Sequence, residues 1–243
     1  APLASNVDAG TITPQVWMDR FMSLNSEDLL FIDDSIARRQ FPSFSFVLIN
    51  SGESKNEEKT TTLDQQLLPA LETLVLEDFD PASSTHGGEW LVFIDADTEV
   101  HKAATFSLAC HAELHPESLM IIPDSAEKSG DLFTKIRANP PWNLDLILGG
   151  EGVGPLLAIH NSVISGIVET GEDLSRTKNL TEIALTAYDY LGEKAISRLP
   201  LVLSATSKQS EQTLLDTTIM EYLREVDDEI FVSQGLCPQT RRI

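Results

Sequence analysis

The sequence predicts an α/β fold in which a mainly parallel sheet is covered by helices. Short apolar runs typical of buried strands alternate along the chain with amphipathic helical segments. Such connections usually join parallel strands. The chain has 243 residues, 42% of them hydrophobic and 23% charged, which is the balance of a globular protein with a sizeable core. We therefore expect a layered domain and not a disordered or fibrous chain.

Individual elements follow from composition and spacing. Five apolar runs are predicted to be strands, namely residues 44–49, 90–94, 119–122, 155–160 and 196–203. Pro200 interrupts the last run and predicts an edge strand, because proline cannot donate a hydrogen bond to a neighbouring strand. Helices are predicted over residues 63–76, 102–115 and 180–192 from apolar spacing, with Gly192 ending the last one. Pro69 lies within the first, so that helix either kinks or starts there.

Two regions are expected along the chain. Residues 1–40 predict a peripheral helical segment, because Pro14 can open a helix and Ser26 resembles an N-cap. Residues 41–243 are predicted to form the α/β domain. Because the chain begins without methionine and ends without a tapering tail, we expect it to be part of a longer, multidomain polypeptide.

Charge and cysteine content exclude several functions. Seventeen basic residues against 38 acidic ones give a net charge of −21, which argues against binding to a nucleic-acid backbone or an anionic membrane surface. No apolar run approaches the ~20 residues that a membrane helix needs. Two cysteines exclude a disulfide scaffold and a four-thiolate zinc site. We expect a cytoplasmic protein.

The residues with the clearest chemistry follow the second predicted strand. Asp95 and Asp97 stand two residues apart at its carboxyl end, where ligands collect in open α/β sheets. If the strand geometry persists, both carboxylates face the same way. Two hard oxygen ligands suit Mg²⁺ or Mn²⁺, with phosphate oxygens completing the coordination. The alternative is that these acids cap the following helix.

The surrounding residues resemble a known family. Residues 88–99 read GEWLVFIDADTE and are similar to the strand and DxD motif of inverting family two glycosyltransferases, approximately G-E-Y-x-x-x-L-D-x-D-D-E. Further similar pieces follow in the same order: LHP at 114–116, PWNLDLIL at 141–148, GPLLAIHNSVI at 154–164, EIAL at 182–185 and RLPLVL at 198–203. The resemblance spans residues 86–205.

The resemblance implies a fold and a reaction. The fold would be a three-layer, glycosyltransferase A-type (nucleotide-diphospho-sugar transferase-like) domain. The reaction would transfer a sugar, with inversion, from a nucleotide-sugar donor to a glycan or saccharide acceptor, as in polysaccharide biosynthesis. Mn²⁺ or Mg²⁺ would bind Asp95 and Asp97, with Asp95 also contacting the substrate. An adjoining transferase domain would be a further partner.

The resemblance also implies roles for residues in the second half of the chain. Glu182 is the candidate general base, and its alternative reading is an ordinary exposed helix residue. Glu172 and Asp173 are two adjacent acids, as in the family's motif, but they come too early in the sequence. They are the next candidates for the general base if the loop is shifted relative to the family pattern. These two residues and Trp142 are the remaining candidates for substrate binding.

Departures from the family pattern predict a second function. No D-D-x-S motif precedes the DxD, His160 stands where the family has arginine, and Ser204-Ala205-Thr206 replaces a His-Trp pair. These differences leave open a catalytically silent domain that serves as a structural or glycan-binding module. A third reading, an acidic interaction domain, has only the net charge behind it.

Overall fold

The computed structural model describes residues 12–49, 63–76, 79, 87–172, 174, 177, 179–207, 218–219, 222–223, 233–234 and 241–242. The helices are α1 (Pro14–Phe21), α2 (Ser26–Arg38), α3 (Ala104–Leu114), α4 (Leu144–Leu146, continued by a π-helical turn over Ile147–Glu151), α5 (Asn161–Glu169) and α6 (Leu180–Leu191), which a 3-10 turn follows (Glu193–Ala195). The strands are β1 (Phe44–Ile49), β2 (Glu72–Val75), β3 (Trp90–Asp95), β4 (Thr98–Val100), β5 (Met120–Ser129), β6 (Leu132–Arg137), β7 (Leu156–His160), β8 (Ile196–Thr206), β9 (Ser233–Gln234) and β10 (Arg241–Arg242).

The central sheet is mixed: β1, β2, β3, β5 and β8 run in one direction and β4, β6 and β7 in the other, so the prediction of a mainly parallel sheet is correct only in part. Its order is β2-β1-β3-β7-β5-β8-β4, with β6 paired to β5. Only the pairs β1–β2, β1–β3 and β5–β8 are parallel, whereas the pairs that involve β7, β6 and β4 are antiparallel. Every β7 residue from Leu156 to Ile159 is buried. A strand covered on both faces is apolar throughout in either direction, so its composition does not reveal its orientation.

Helices cover both faces of this sheet. On one face, Leu91 and Phe93 of β3 pack in the same core cluster as residues of α5 and α6. On the other face, Val92 and Ile94 of β3 pack with Ala104 and Leu108 of α3. This alternation follows from the two-residue period of a strand. The face that α5 and α6 cover is called the α6 face below.

The second half of the β5–β8 pair bends over the end of β3. The pairing register shifts where Pro123 and Asp124 face the segment between Leu199 and Val202, a bulge that accommodates Pro200. The strand β8 therefore lies between β5 and β4, and the expectation of an edge strand is wrong. Only two residues separate β3 from β4, yet β4 pairs with the end of β8. The sheet must curl for both pairings to exist.

The helix predicted over residues 63–76 is also wrong. Residues 72–75 form β2, parallel to β1, and residues 64–71 are turns, bends and irregular backbone. The leucines that produced the helical spacing have different environments: Leu74 packs on the α6 face, whereas 61% of Leu71 is exposed.

The other helical predictions are close to the observed elements. Pro14 begins α1, but Asn25 and not Ser26 caps α2, because the Asn25 side chain accepts the Glu27 and Asp28 backbone N–H groups. Gly192 ends α6 with φ of 70°, as predicted. Within the described parts of the chain, no helix combines the length and the apolar character needed to cross a membrane.

Candidate functional site

Three parallel strands end at one edge of the sheet, and the aspartate pair lies there. The strands β2, β1 and β3 run side by side in the same direction. Ile49, the last residue of β1, lies beside Asp95, the last residue of β3. The edge at which these strands end is called the carboxyl edge below, and it is where ligands bind in open α/β sheets.

The local structure around the pair is held by backbone hydrogen bonds. The Asp95 N–H donates to the Pro155 carbonyl at 3.2 Å, and the Ala96 N–H donates to the Ile49 carbonyl at 3.0 Å. Asp95 and Asp97 are both half-buried. Because Phe93 points to the α6 face, strand alternation puts the Asp95 side chain on that face as well.

Asp97 lies in a turn, because β3 ends at Asp95. The strand therefore ends before Asp97. The expectation that both carboxylates face the same way required a strand that includes both residues, and this condition is not met. The acids do not cap α3 either. The strand β4 intervenes, and the N-cap position of α3 is Ala103, which makes no side-chain capping bond.

Glu182 occupies the first turn of α6. Its backbone N–H donates to the Asn179 side chain at 3.0 Å, which makes Asn179 the N-cap. A carboxylate in this position is favoured by the partial positive charge of a helix N-terminus. Glu182 is partly buried, and its role as general base stays a prediction.

The direction of α6 brings its N-terminus toward Asp95. The helix is followed within five residues by Ile196, which pairs with Met120 where both β5 and β8 begin. Since β5 runs parallel to β3, with β7 antiparallel between them, the C-terminus of α6 lies at the opposite edge. Twelve residues of helix extend ~18 Å, about the length of β3. Glu182 therefore lies toward the carboxyl edge, on the α6 face.

Glu172 follows a helix that runs the other way. The first residue of α5 donates its backbone N–H to the Glu89 carbonyl at 2.8 Å, at the edge where β3 begins. From there α5 runs along the α6 face toward the carboxyl edge, and the exposed Glu172 comes three residues after its end. Asp173 lies outside the described residues.

Trp142 is part of the core of the α6 face, and 8% of its surface is exposed. Its ring stacks on Tyr188 of α6, with centroids 5.2 Å apart and ring planes at 25°. The indole Nε1–H is buried and makes no hydrogen bond within the described structure. The ring also forms part of the wall of a pocket of about 210 Å³.

The structure adds a neighbour that the sequence pattern did not identify. Thr206, at the end of β8, pairs with Thr98, which directly follows Asp97. The hydroxyls of Thr98 and of the nearby Ser204 are buried without a hydrogen-bond partner in the described part of the chain. The one signal in the sequence was the position of Ser204-Ala205-Thr206 after the last strand. The antiparallel pairing of β4 with β8 was not visible, because three residues are too short to show a period.

Two other polar residues are excluded from the site by their contacts. Asp124 accepts hydrogen bonds from Arg198 Nε at 3.0 Å and Nη2 at 2.7 Å, and also from the Asn139 N–H at 2.8 Å. This pairing raises the pKa of Arg198. His160 pairs with Trp90, at the opposite end of β3 from Asp95, and burial lowers its pKa.

The donor set at the carboxyl edge fits a hard divalent cation. Carboxylates are the ligands that Mg²⁺ and Mn²⁺ prefer, and Mg²⁺ is usually held by one or two of them together with waters and phosphate oxygens. Among the described residues no group of three or more His, Cys, Asp or Glu side chains could form a complete cage. Asp95 and Asp97 are therefore suited to a cation that a ligand shares, and not to a structural zinc ion.

Solved structures include chains that are similar to this one, whereas the two other comparisons found no match. No family model matches the chain, and no curated protein matches it. The crystal structure of S. aureus TarS 1–349 is similar at 12% sequence identity, with a TM-score of 0.44, over 77% of this chain and 72% of that one. Likeness at this level does not bear on function, so the proposal below rests on the residues of this chain.

Proposed function

We propose that this chain is a glycosyltransferase that transfers a sugar, with inversion, from a nucleotide-sugar donor to a saccharide acceptor. The observation that carries the proposal is the pair Asp95 and Asp97 at the carboxyl end of a buried parallel strand. A nucleotide sugar presents a diphosphate, and a pair of carboxylates binds a diphosphate through a shared divalent cation. The resemblance of residues 88–99 to the DxD motif supports the same assignment.

Each candidate residue has a defined role in this reaction. Asp95 and Asp97 would hold Mn²⁺ or Mg²⁺, which when bound would neutralise charge on the diphosphate leaving group. Glu182 accepts the proton of the acceptor hydroxyl as that oxygen bonds to the anomeric carbon, and the bond from this carbon to the phosphate oxygen breaks. Attack from the side opposite the leaving group inverts the anomeric centre. Trp142, Glu172 and Asp173 are assigned to substrate binding.

The donor site is tested most simply by ligand-induced stabilisation. Uridine, guanosine, cytidine and adenosine diphosphates are compared at millimolar Mn²⁺ by thermal unfolding. A ligand at ~100 times its Kd stabilises a protein by about 2.7 kcal/mol. We expect one nucleotide to raise Tm only when Mn²⁺ is present. Asp97→Asn should lose this shift, whereas the matched control Asp131→Asn, in the exposed turn between β5 and β6, should keep it.

The same experiment distinguishes the silent module from the enzyme. The missing D-D-x-S motif favours a domain that has lost nucleoside recognition. A panel with no shift for any nucleotide, on a chain folded by circular dichroism, contradicts a working donor site. A metal-dependent shift for one base contradicts the silent module and identifies the donor class.

The role of Glu182 is tested by removing its charge. A positioned general base contributes about 10²–10⁴-fold to a rate. Glu182→Gln should therefore lower kcat by that factor and leave the nucleotide-dependent Tm shift unchanged. Glu193→Gln, an exposed glutamate just past the other end of α6, is the matched control and should keep full activity. Undiminished turnover by Glu182→Gln would transfer the assignment to Glu172 or Asp173.

A further inference from the structure

The pocket beside Trp142 lies on the same side of the sheet as the aspartate pair. It is bounded by residues 137–143, by Leu146 and Ile147, by Gly152 and Val153, and by Ile122 of β5. Ala158 of β7 pairs with Ile121 of β5 on one side and with Val92 of β3 on the other. Because β5 and β3 run in the same direction, the next residue of each strand, Ile122 and Phe93, lies at the same level of the sheet. Both side chains belong to the core of the α6 face. Two strand spacings separate β3 from β5, which is roughly 10 Å.

The pocket is built by a rigid wall. The Asn139 backbone N–H donates to the buried Asp124 carboxylate at 2.8 Å, and its side-chain Nδ2 donates to the Pro123 carbonyl at 2.7 Å. Pro140 and Pro141 follow, each with a fixed φ. Trp142 is then held by its stack on Tyr188. A wall held in this way keeps its shape before a ligand arrives, which lowers the entropic cost of binding.

The chemistry of the lining favours an oxygen-rich ring that carries no positive charge. Most of the lining is apolar, and two asparagines and Arg137 contribute polar groups. No described lining residue is acidic, although the chain has 38 acidic residues. The Trp142 Nε1–H is buried and has no hydrogen-bond partner among the described residues, and folded proteins rarely leave such a group unpaired. Because the Trp142 ring lines the pocket, a sugar ring bound there would change the environment of its indole N–H.

The volume limits the size of the ligand. About 210 Å³ is smaller than the roughly 300–1,000 Å³ of pockets that hold drug-sized molecules. It admits one ring and excludes a whole nucleotide sugar. From the lining, the volume and the position we infer that this pocket binds one pyranose ring of the acceptor. The inference rests on the proposed function only where it assigns the ring to the acceptor. Binding of a sugar ring is measurable without any donor.

The experiment follows the indole N–H resonances of the three tryptophans, Trp17, Trp90 and Trp142, on the ¹⁵N-labelled chain. Trp142→Phe identifies its signal by deletion and keeps an aromatic ring against Tyr188. The chain is titrated with the methyl β-glycosides of glucose, galactose and N-acetylglucosamine, without metal or nucleotide. Cyclohexanol serves as a ring of similar size with a single oxygen. We expect at least one glycoside to shift the Trp142 resonance saturably and to leave Trp17 and Trp90 unchanged.

Two variants test whether the glycosides bind in this pocket. Ala138→Phe fills the pocket from its exposed rim and should weaken glycoside binding at least tenfold, whereas Leu132→Phe, exposed outside the pocket, should not. The inference is overturned if no glycoside moves the Trp142 resonance, if cyclohexanol moves it equally, or if Ala138→Phe binds as well as the parent chain. Because the titration contains no metal, a failure here is separate from a failure of the Asp95 and Asp97 site.

Discussion

The two halves of the central sheet are stabilised differently. The strands β2, β1 and β3 are parallel, and β1 and β3 pair in an unbroken register. In β1 all six residues are buried, and in β3 five are buried and Asp95 is half-buried. The pair β5–β8 is interrupted by two register shifts, carries Pro123 and Pro200 at the bulge, and includes the Asp124–Arg198 ion pair. The regular half provides a fixed edge for Asp95, and the irregular half bends over that edge.

This difference explains how only two residues can connect β3 to β4 next to the aspartate pair. A flat sheet would keep β4 four strands away from β3, but the bulge brings β8 and β4 back across the carboxyl edge. Bulges bend a strand and commonly lie next to functional sites. We expect the regular half to depend on apolar packing and the bent half to depend on specific polar contacts.

The largest effect is expected from the core of the regular half. Phe93 is fully buried in β3, with its ring edge-on to Phe79 at 6.5 Å. Phe93→Ala should reduce the free energy of unfolding by about 3–5 kcal/mol, because it removes a large buried ring and leaves a cavity. Phe133→Ala in β6 is the matched change in the bent half, where the ring is only partly buried. Chemical denaturation should show a much smaller loss for Phe133→Ala, and equal losses would contradict the contrast.

The next effect concerns the polar contacts of the bent half. Asp124→Ala leaves the Arg198 guanidinium and the Asn139 N–H without their acceptor. The expected cost is about 1.5–3 kcal/mol, the range for hydrogen bonds to charged groups. Asp124→Asn keeps an oxygen acceptor and should cost less. A loss below about 0.5 kcal/mol for Asp124→Ala in urea unfolding would show that packing alone holds the bulge.

A smaller effect tests the close contact between Gly88, which lies just before β3, and Ser45 of β1. A Cβ at Gly88 would lie 2.7 Å from the Ser45 backbone nitrogen and 2.9 Å from the Trp90 carbonyl oxygen. Backbone atoms cannot move aside easily, so Gly88→Ala should cost about 1–3 kcal/mol. Gly149→Ala, where nothing lies within 4 Å of the added methyl group, is the control and should be nearly neutral. Thermal unfolding that shows equal Tm values for the two variants would contradict the close approach.

The smallest effect is a dependence on pH. His101 accepts the Ala103 N–H at Nδ1, so the proton is on Nε2, which donates to the Met22 carbonyl at 2.9 Å. Burial lowers the pKa of His101 below its ordinary value of 6.5, as it does for His111 and His160. The unfolded chain therefore binds these protons more readily, and stability present above pH 6.5 is lost as the pH falls below it.

Replacing His101 measures its share of this loss. His101→Gln should show a smaller decrease in Tm between pH 7.5 and 5.5 than the parent chain, although the variant itself has a lower Tm at neutral pH. If Tm falls equally with pH in the parent chain and in His101→Gln, the pH dependence is assigned to His111 and His160 instead.

The sequence predicted much of the regular half and less of the bent half. The buried runs of β1 and β3 and the end of α6 at Gly192 were visible because burial and turn chemistry are local properties. The orientation of β7 and the interior position of β8 depend on long-range pairing, which composition does not encode. The strand β2 was hidden because its leucine spacing imitated a helix.

The site also contains features that the sequence predicted and features that it did not. The position of Asp95 at a strand end was predictable from the apolar run before it. That Thr206 lies beside Thr98 follows from the curled sheet and was not predictable. Whether Glu182 acts as the base stays a prediction, although the N-terminus of its helix lies toward the carboxyl edge.

Paramagnetic broadening by Mn²⁺ shows most directly whether Asp95 and Asp97 bind a divalent cation. Substoichiometric Mn²⁺ should broaden the backbone amide resonances of Ile49, Ala96 and Thr98 first, and leave those of Trp90 and His160, at the opposite edge, sharp. The double variant Asp95→Asn and Asp97→Asn should lose the selective broadening, and Asp131→Asn should keep it. Broadening spread evenly over the acidic surface, or unchanged in the double variant, would contradict the account.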